Sequence, residues 1–320
     1  MIGILGSGGF GTALAVALAR DGKPVTLCAR NADHVEEMVR VREHRRRLPG
    51  VRLPELVSPT SDVRDLQAAE PVLIASPSQP LADVLAEFAD ILSGKTLVAC
   101  CKGIDPASGL GPASRIERAF PRATPAQLSG PGFATDIAAG LPTAMTIAAT
   151  DDRTAADLQR KLSTSSLRLY RCTDIIGVEA GGALKNVIAI ACGMAIGAGF
   201  GESARAALMT RGFAEIVRFA LARGARAETL AGLSGLGDLA LTATSERSRN
   251  YAFGVALGEL GLSDPAVTTE GIATARAVAG IAKSEAMRLP LITVVAEFLC
   301  GGLTLAQAVE SLMARPLRRE

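Results

Sequence analysis

The sequence has no tryptophan, only two histidines and almost no excess of either charge, and these shortages exclude several functions. The 34 basic and 32 acidic side chains give a net charge of +2, so the basic excess that nucleic-acid binding requires is missing. With only His34 and His44 available, proton transfer by histidine has few candidates. If the protein is an enzyme, we therefore expect another side chain to move protons.

The sequence also lacks the spacings of paired cysteines. No CxxC motif connects its six cysteines, which lie mostly in apolar runs and are Cys28, Cys100, Cys101, Cys172, Cys192 and Cys300. This pattern predicts reduced, buried thiols in a cytoplasmic protein, with neither a disulfide nor a metal. Residues 1–10 have no positively charged start and are interrupted by glycines, which argues against a signal peptide.

One long apolar segment, residues 180–201, needs an explanation. It contains Gly193 and Gly197, a spacing that occurs in membrane helix dimers. It also contains Lys185 and Asn186, and an ammonium group within lipid would be costly. The segment is therefore predicted to be a buried helix, without a membrane span.

The order of apolar runs predicts two domains in a chain of 320 residues. Short runs at 2–5, 25–29, 72–75, 96–100 and 143–149 alternate with amphipathic or glycine-rich segments, which indicates βαβ units and a mostly parallel sheet. Beyond Thr173 the segments have helical periodicity, at 175–199, 202–222, 247–260, 269–285 and 304–313. The second half is therefore predicted to be helical.

A glycine-rich loop lies between the first predicted strand and a helix predicted over residues 12–20. Gly6, Gly8 and Gly11 match GxGxxG: the first permits a tight turn, the second a close approach of pyrophosphate, and the third close packing of helix and strand. The context predicts an α/β fold with a dinucleotide-binding, Rossmann-type, mostly parallel sheet domain over residues 1–175. An all-α, substrate-binding domain is predicted over residues 176–320.

The end of the second predicted strand bears on the choice of cofactor. An acidic residue would bind the ribose hydroxyl of NAD there, but the strand ends in Cys28, Ala29 and Arg30. A guanidinium pairs well with a 2′-phosphate, so NADPH is predicted, with NADH as a poorer alternative. The basic run 45–47 has two interpretations. It either adds positive charge near the 2′-phosphate or, as is more common for such runs, forms a solvated surface.

Two of the six lysines occupy positions suited to chemistry. Lys102 follows a strand, at the edge where parallel sheets bind ligands, although a strand-end surface lysine is the alternative. Lys185 lies on a predicted helix with few other charges and is a candidate acid/base, the alternative being a lysine at the edge of the core.

These motifs together resemble the bacterial NAD(P)-dependent glycerol-3-phosphate dehydrogenases over nearly the whole chain. The matching segments are 6–11, 101–103, 129–134, 177–190, 235–239, 248–250 and 270–271. The resemblance implies reversible reduction of dihydroxyacetone phosphate to sn-glycerol 3-phosphate, which supplies the glycerol backbone of phospholipids. A homodimer is expected on general grounds.

The resemblance also implies site residues. Those expected around the cofactor are Gly6, Gly8, Gly9, Phe10, Gly11, Arg30, Lys102, Ala134, Arg249, Thr268 and Glu270. Those expected at the substrate are Lys102, Gly130, Gly132, Lys185, Asp238, Ser248, Arg249 and Asn250. Lys185 is implied to accept the proton during oxidation, with Lys102 and Asp238 as further catalytic residues and no metal.

Some of these assignments have alternatives. For Asp238 there are three alternatives: it orients Lys185, it binds a substrate hydroxyl, or it caps a helix. Ser248 is a phosphate ligand, the cap of the helix carrying Arg249, or both. The sequence departs from the family pattern at Gly132 and Cys101, where Ser or Thr is usual, so only backbone contacts are expected at Gly132.

Two other functions remain open at this stage. A β-hydroxyacid dehydrogenase or ketopantoate reductase would share the layout and the helical lysine, but Arg249 and Asn250 favour a phosphorylated substrate. A regulator that senses NADPH without turnover would not need the set of lysine, aspartate and arginine.

Overall fold

In a computed structural model, residues 1–260 and 269–313 are described. The chain forms two compact units, and each combines two segments of the sequence. The first unit comprises residues 1–102 and 112–179, and the second comprises 103–111 and 180–320. The division into domains between residues 175 and 176 stays a prediction. The sequence does not predict that the short segment 103–111 belongs to the second unit.

The first unit contains one sheet. Its described residues form eight strands, β1 (Ile2–Leu5), β2 (Val25–Cys28), β3 (Val57–Thr60), β4 (Val72–Ile74), β5 (Thr96–Ala99), β6 (Thr124–Ser129), β7 (Thr143–Ala149) and β8 (Leu167–Cys172). They lie in the order β3-β2-β1-β4-β5-β6-β7-β8. All neighbours are parallel except β6 and β7. The predicted mostly parallel sheet is confirmed.

The helices of the first unit pack on this sheet. They are α1 (Gly9–Arg20), α2 (Ala32–Val41), α3 (Leu81–Glu87), α4 (Ala89–Leu92), α5 (Pro112–Ala119), α6 (Ala134–Ala139) and α7 (Asp152–Leu162). A 3-10 helix covers Val63–Leu66. Two apolar cores result, one containing Leu14 and Leu27 and the other containing Leu97 and Ile116. This is the layered arrangement of α/β folds.

The described part of the second unit is helical, as predicted. Its helices are α8 (Ile175–Gly197), which starts at the end of the first unit, α9 (Gly201–Leu221), α10 (Ala227–Ala231), α11 (Asp238–Thr242), α12 (Arg249–Leu260), α13 (Glu270–Ser284), α14 (Pro290–Leu299) and α15 (Leu305–Met313). A π-helix covers Leu233–Gly237. The five helices predicted from periodicity are present, and α10, α11 and α14 are additional.

Helix α8 is long and apolar enough to cross a membrane, and within residues 1–260 and 269–313 it alone meets that test. In its most apolar window, however, 89% of the residues are buried within the protein. The same helix contacts α12 backbone to backbone. A Cβ on Gly193 would meet the Tyr251 carbonyl, and a Cβ on Gly254 would meet the Ile190 carbonyl. The glycine spacing therefore serves packing between two helices of one chain.

A buried carboxylate joins α9 to the start of α14. The Glu215 oxygens accept hydrogen bonds from the backbone N–H groups of Leu291 at 2.8 Å and Ile292 at 3.0 Å. These N–H groups lie in the first turn of a helix, where they have no partner within the helix. A negative charge is also favourable at that end, so Glu215 fixes the position of α14.

A second buried carboxylate, Glu179 near the start of α8, binds the first turn of α5. Its oxygens accept from the Ser114 backbone N–H at 3.0 Å and from the Ser114 hydroxyl at 2.6 Å. Burial nevertheless raises the pKa of Glu179 from 4.5 to about 7, with a small contribution from Glu117. The folded protein thus binds a proton here that the unfolded chain releases at lower pH.

Glu179 should therefore make stability depend on pH. Because its pKa is higher in the folded state, ionisation costs stability as the pH rises from about 4.5 to about 7. In urea titrations, the free energy of unfolding of the parent should fall between pH 5 and pH 7.5. The fall in Glu179→Gln should be smaller by about 2 kcal/mol. The control Glu36→Gln, at an exposed glutamate, should follow the parent. An unchanged pH dependence in Glu179→Gln would contradict the assignment.

Candidate active site

The glycine-rich loop lies where the strand order reverses, between β1 and β4. Gly6 has φ +115°, and a Cβ there would lie 2.8 Å from the Ala75 carbonyl carbon and the Ser76 nitrogen. A Cβ on Gly11 would overlap the Gly6 carbonyl. A Cβ on Gly8, by contrast, would meet nothing closer than 4.0 Å. Gly6 and Gly11 are thus required by the turn, while the space beside Gly8 admits a ligand.

The start of α1 fits a dinucleotide pyrophosphate. Among the described residues no side chain caps this helix, and its first turn contains no acidic residue. Its first N–H groups and its dipole are therefore available to an anion. Ala134, expected near the cofactor, lies close to the loop, since its Cβ is 3.8 Å from the position of a Cβ on Gly9. Phe10 packs on the core beneath.

Arg30 lies at the same edge of the sheet as the loop. The Gly6 N–H donates to the carbonyl of Cys28, the last residue of β2, at 2.9 Å, and Arg30 follows two residues later with an exposed side chain. In a Rossmann-type domain the 2′-phosphate of NADPH would lie near the end of β2, so a cation at this position suits that cofactor.

Lys102 and Gly130 follow the ends of two neighbouring parallel strands, β5 and β6. The Lys102 Nζ lies 3.5 Å from the Gly130 carbonyl oxygen. Gly130 has φ +143°, and a Cβ there would lie 2.9 Å from the Met145 Cα. A Cβ on Gly132 would come within 3.2 Å of Ile137 and Thr143. Lys102 thus lies at the ligand-binding edge of the sheet, beside two glycines that pack closely against neighbouring residues of the same unit.

In the second unit, Lys185 on α8 is buried together with two polar residues of α11. Its Nζ forms an ion pair with the Asp238 carboxylate and donates to the Thr242 hydroxyl at 2.7 Å. The side chains of Lys185 and Asp238 are 8% and 2% exposed. A lysine at the edge of the core would extend to water, so its burial with a carboxylate favours a chemical role.

A close backbone contact brings Asp238 to Lys185. A Cβ on Gly181 of α8 would lie 2.7 Å from the Ser234 carbonyl oxygen and 3.0 Å from the Gly235 Cα. These residues belong to the π-helix Leu233–Gly237, which leads directly into α11. Asp238 is the first residue of α11 and does not act as its cap. Short π-helical turns occur frequently at functional sites.

The residues expected to bind phosphate begin α12. The buried Ser248 Oγ accepts from the Tyr251 N–H at 3.3 Å, so Ser248 caps this helix while its hydroxyl proton stays available. Arg249 is the first helical residue and is exposed. The Asn250 Oδ1 accepts from the Gly271 N–H at 3.1 Å, which joins the starts of α12 and α13. Glu270 begins α13, and Thr268 lies outside the described residues.

Asn186 and Thr242 belong to this cluster although no motif identified their roles. The Asn186 carbonyl would lie 3.0 Å from a Cβ on Gly271, so α8, α12 and α13 meet beside Lys185. The Asn186 Nδ2 is buried and has no hydrogen-bond partner. Such a donor in a native structure commonly binds a ligand or water. Thr242 lies one helical turn after Asp238, and that spacing was the available signal.

Comparison with known proteins decides the family. The family of NAD-dependent glycerol-3-phosphate dehydrogenase N-terminal domains matches residues 1–155. The family of the C-terminal domains of the same enzyme matches residues 174–310. The chain belongs to this family. Within it, the chain resembles two proteins named glycerol-3-phosphate dehydrogenase (NAD(P)+). The protein from Ruegeria sp. (strain TM1040) is 54% identical, with 100% of this chain and 99% of that protein covered. The protein from Cereibacter sphaeroides is 54% identical, with 100% of both covered.

A solved glycerol-3-phosphate dehydrogenase shares the fold. The crystal structure of the Coxiella burnetii protein matches with a TM-score of 0.92 and 37% identity over 98% of each chain. The resemblance found in the motifs is thus confirmed, together with the fold.

Thr242 can be tested as a residue that orients Lys185. Thr242→Val keeps the side-chain shape but removes an acceptor from a buried ammonium group, which costs about 1–3 kcal/mol. We expect kcat to fall by roughly tenfold, measured with saturating substrates. The control Thr244→Val removes an exposed hydroxyl that donates to the Ala240 carbonyl at 2.7 Å and should leave kcat unchanged. Equal activity in both variants would contradict a role for Thr242.

Proposed function

We propose that the protein catalyses the reversible reduction of dihydroxyacetone phosphate to sn-glycerol 3-phosphate, with NADPH preferred over NADH. The buried Lys185, paired with Asp238 and Thr242 within a family of glycerol-3-phosphate dehydrogenases, is the observation that carries this proposal. The reduced nicotinamide supplies a hydride to C2 of the substrate.

The chain's own residues complete the reaction. As charge grows on the C2 oxygen, the Lys185 ammonium stabilises it and donates a proton, and in the reverse direction the neutral amine accepts that proton. Asp238 and Thr242 hold the lysine side chain in one orientation. The unpartnered Nδ2 of Asn186 provides a further donor for a substrate oxygen. Lys102 supplies a second cation, from the sheet edge.

The start of α12 is assigned to the substrate phosphate. The Arg249 guanidinium, the helix N–H groups and the Ser248 hydroxyl are donors, and charge-assisted bonds of this kind are strong. Asn250 uses its oxygen on Gly271, so its amide nitrogen remains for the ligand. Gly6, Gly8, Gly9 and Gly11, with α1, are assigned to the cofactor pyrophosphate.

The wider biological setting is also part of the proposal. The product is the backbone of glycerophospholipids, so we assign the enzyme to lipid synthesis. A cytoplasmic location is supported by six cysteines that are all free thiols. A homodimer is proposed because twofold dimers are the commonest oligomers of soluble proteins.

Arg30 tests the cofactor preference. Arg30→Ala should raise the KM for NADPH by about tenfold, because a charge-assisted contact with the 2′-phosphate is lost. The KM for NADH, which has no such phosphate, should stay unchanged. The exposed Arg40 provides the control Arg40→Ala, which should leave both KM values as in the parent. Equal changes for the two cofactors in Arg30→Ala would contradict the assignment.

A spectrophotometric assay tests the proposed reaction. NADPH oxidation is followed with dihydroxyacetone phosphate, dihydroxyacetone and ketopantoate as separate substrates. We expect turnover with the phosphorylated ketone and much slower turnover with the other two. Preferred turnover of ketopantoate or of an unphosphorylated substrate would favour a related reductase. Binding of NADPH without turnover of any substrate would favour a regulator.

A further inference from the structure

Gln127 is a buried polar residue of β6 with no part in the reaction described above. Its side chain is inaccessible to solvent, and its Nε2 donates to the Cys101 carbonyl at 3.0 Å and to the Leu128 carbonyl at 3.3 Å. Its Oε1 has no partner. Since both neighbours are carbonyl oxygens, which only accept hydrogen bonds, the amide nitrogen must face them. The orientation of the amide is therefore fixed by chemistry.

The amide extends the pairing of β5 and β6 beyond the end of β5. The last backbone pair of these strands is Ala99 with Gln127. Beyond it, the Cys100 N–H turns toward β4 and bonds to the Ile74 carbonyl at 2.9 Å. The Gln127 side chain holds the next carbonyl, that of Cys101, beside β6. The bond to Leu128 keeps the amide against its own strand.

This contact bears directly on Lys102. The Cys101 carbonyl belongs to the planar peptide unit that contains the Lys102 nitrogen, so fixing the carbonyl fixes the direction in which Lys102 leaves the strand. The Lys102 amine in turn lies 3.5 Å from the carbonyl of Gly130, on the segment that follows β6. The peptide before Lys102 is thus held by β6, and the Lys102 amine lies near the segment that follows the same strand.

Stability alone does not account for an amide at this position. Burying an amide oxygen without a partner costs free energy, and an apolar side chain of similar length would avoid that cost. We propose that Gln127 is a positioning residue that holds the Cys101–Lys102 peptide so that the Lys102 ammonium faces the substrate. The inference rests on the role given to Lys102 in the proposed function.

A double-mutant cycle tests the inference. Gln127→Met, Lys102→Ala and the double variant are compared with the parent by steady-state kinetics with dihydroxyacetone phosphate and NADPH. Gln127→Met should lower kcat/KM by about tenfold to a hundredfold, as small misplacements of catalytic groups do. In the Lys102→Ala background the same change should have no further effect on kcat/KM. Any change in melting temperature should be the same in both backgrounds, because the lost hydrogen bonds do not involve the amine.

The control and the contrary outcomes are defined within the same experiment. Thr26→Val removes a buried hydroxyl from β2 that donates to the Met1 sulfur at 3.3 Å, and it should leave kcat/KM unchanged. Where Gln127→Met does not fold, Gln127→Asn, whose shorter amide falls short of Cys101, replaces it. The inference is overturned if the Gln127 change lowers kcat/KM equally in both backgrounds or has no effect in the parent. If Lys102→Ala keeps full activity, both the inference about Gln127 and the proposed role of Lys102 are overturned. If Lys102→Ala is impaired but Gln127→Met is not, only the inference about Gln127 is overturned.

Discussion

Lys185→Ala is expected to turn over dihydroxyacetone phosphate at least about a hundredfold more slowly than the parent while binding NADPH with unchanged affinity. In the proposed mechanism the ammonium stabilises charge that exists only in the transition state, so its loss should lower kcat more than it weakens substrate binding. The cofactor loop belongs to the other unit of the chain, so NADPH binding can be measured separately from turnover. We would measure kcat with saturating substrates and the NADPH Kd by fluorescence titration.

The Lys185 experiment needs a check on folding, because the variant leaves the Asp238 carboxylate buried without its cation. Removing one member of a buried pair costs about 3–5 kcal/mol, so the variant's melting temperature must be compared with the assay temperature. The double variant Lys185→Ala with Asp238→Asn removes both charges and should fold more stably, yet remain as slow. Lys283→Ala, at an exposed lysine of α13, serves as a control. Turnover near the parent value in a folded Lys185→Ala would reject the role.

Arg249→Ala should raise the KM for dihydroxyacetone phosphate by about a hundredfold. The guanidinium is at the first residue of α12, and the proposed function assigns it and the helix N–H groups to one phosphate. A charge-assisted contact of this kind contributes about 2–3 kcal/mol. Turnover of unphosphorylated dihydroxyacetone, slow in the parent, should not change. The measurement is kcat/KM for each of the two ketones.

The comparison of the two ketones separates phosphate binding from general damage. Arg276→Ala, at an exposed arginine of α13, should leave both values as in the parent. Arg249→Lys should recover part of the loss, since an ammonium keeps the charge but not the bidentate geometry. If Arg249→Ala lowers kcat/KM equally for both ketones, the residue does not bind the phosphate.

Features that are encoded locally could be predicted from the sequence. In the glycine-rich loop, Gly6 has a positive φ and a Cβ on Gly11 would overlap the Gly6 carbonyl, and both are local constraints. The second constraint on Gly6, its close approach to Ala75 and Ser76, comes from a distant part of the chain. Lys185 was noticeable as a charge in an apolar helix. Ser248 was predicted as a phosphate ligand or a cap, and its contact with Tyr251 establishes the cap, while its role toward phosphate stays a prediction.

Other features depend on contacts between distant residues and had no local signal. Strands β3 and β6 contain Pro59 and Pro125, and β8 exposes Arg168 and Tyr170 along its length. Their composition is therefore not that of a buried strand, and they are formed by pairing with neighbours. Helix α14 was missed because its ten residues are almost uniformly apolar, so that no polar face marks the helical period.

The same limit applies to the candidate site. The spacing of Thr242 from Asp238 is visible in the sequence, but it becomes a signal only where those residues form a helix, and α11 was not predicted. Asn186 was visible beside Lys185, but the burial of its amide without a partner required the positions of α12 and α13. Gln127 gave no signal at all, since its partner, the Cys101 carbonyl, belongs to the segment that follows a neighbouring strand.

The contact of α8 with α12 sets a limit on how this enzyme can be made more thermostable. Exchanging helical glycine for alanine usually stabilises a protein, because alanine restricts the unfolded chain and favours the helix. Gly280 of α13, where a new methyl group would meet nothing within 4 Å, is suited to that exchange. At Gly193, Gly197, Gly254 and Gly258 the same methyl group would collide with the backbone of the facing helix. Consensus or propensity-based engineering should therefore leave these four positions untouched.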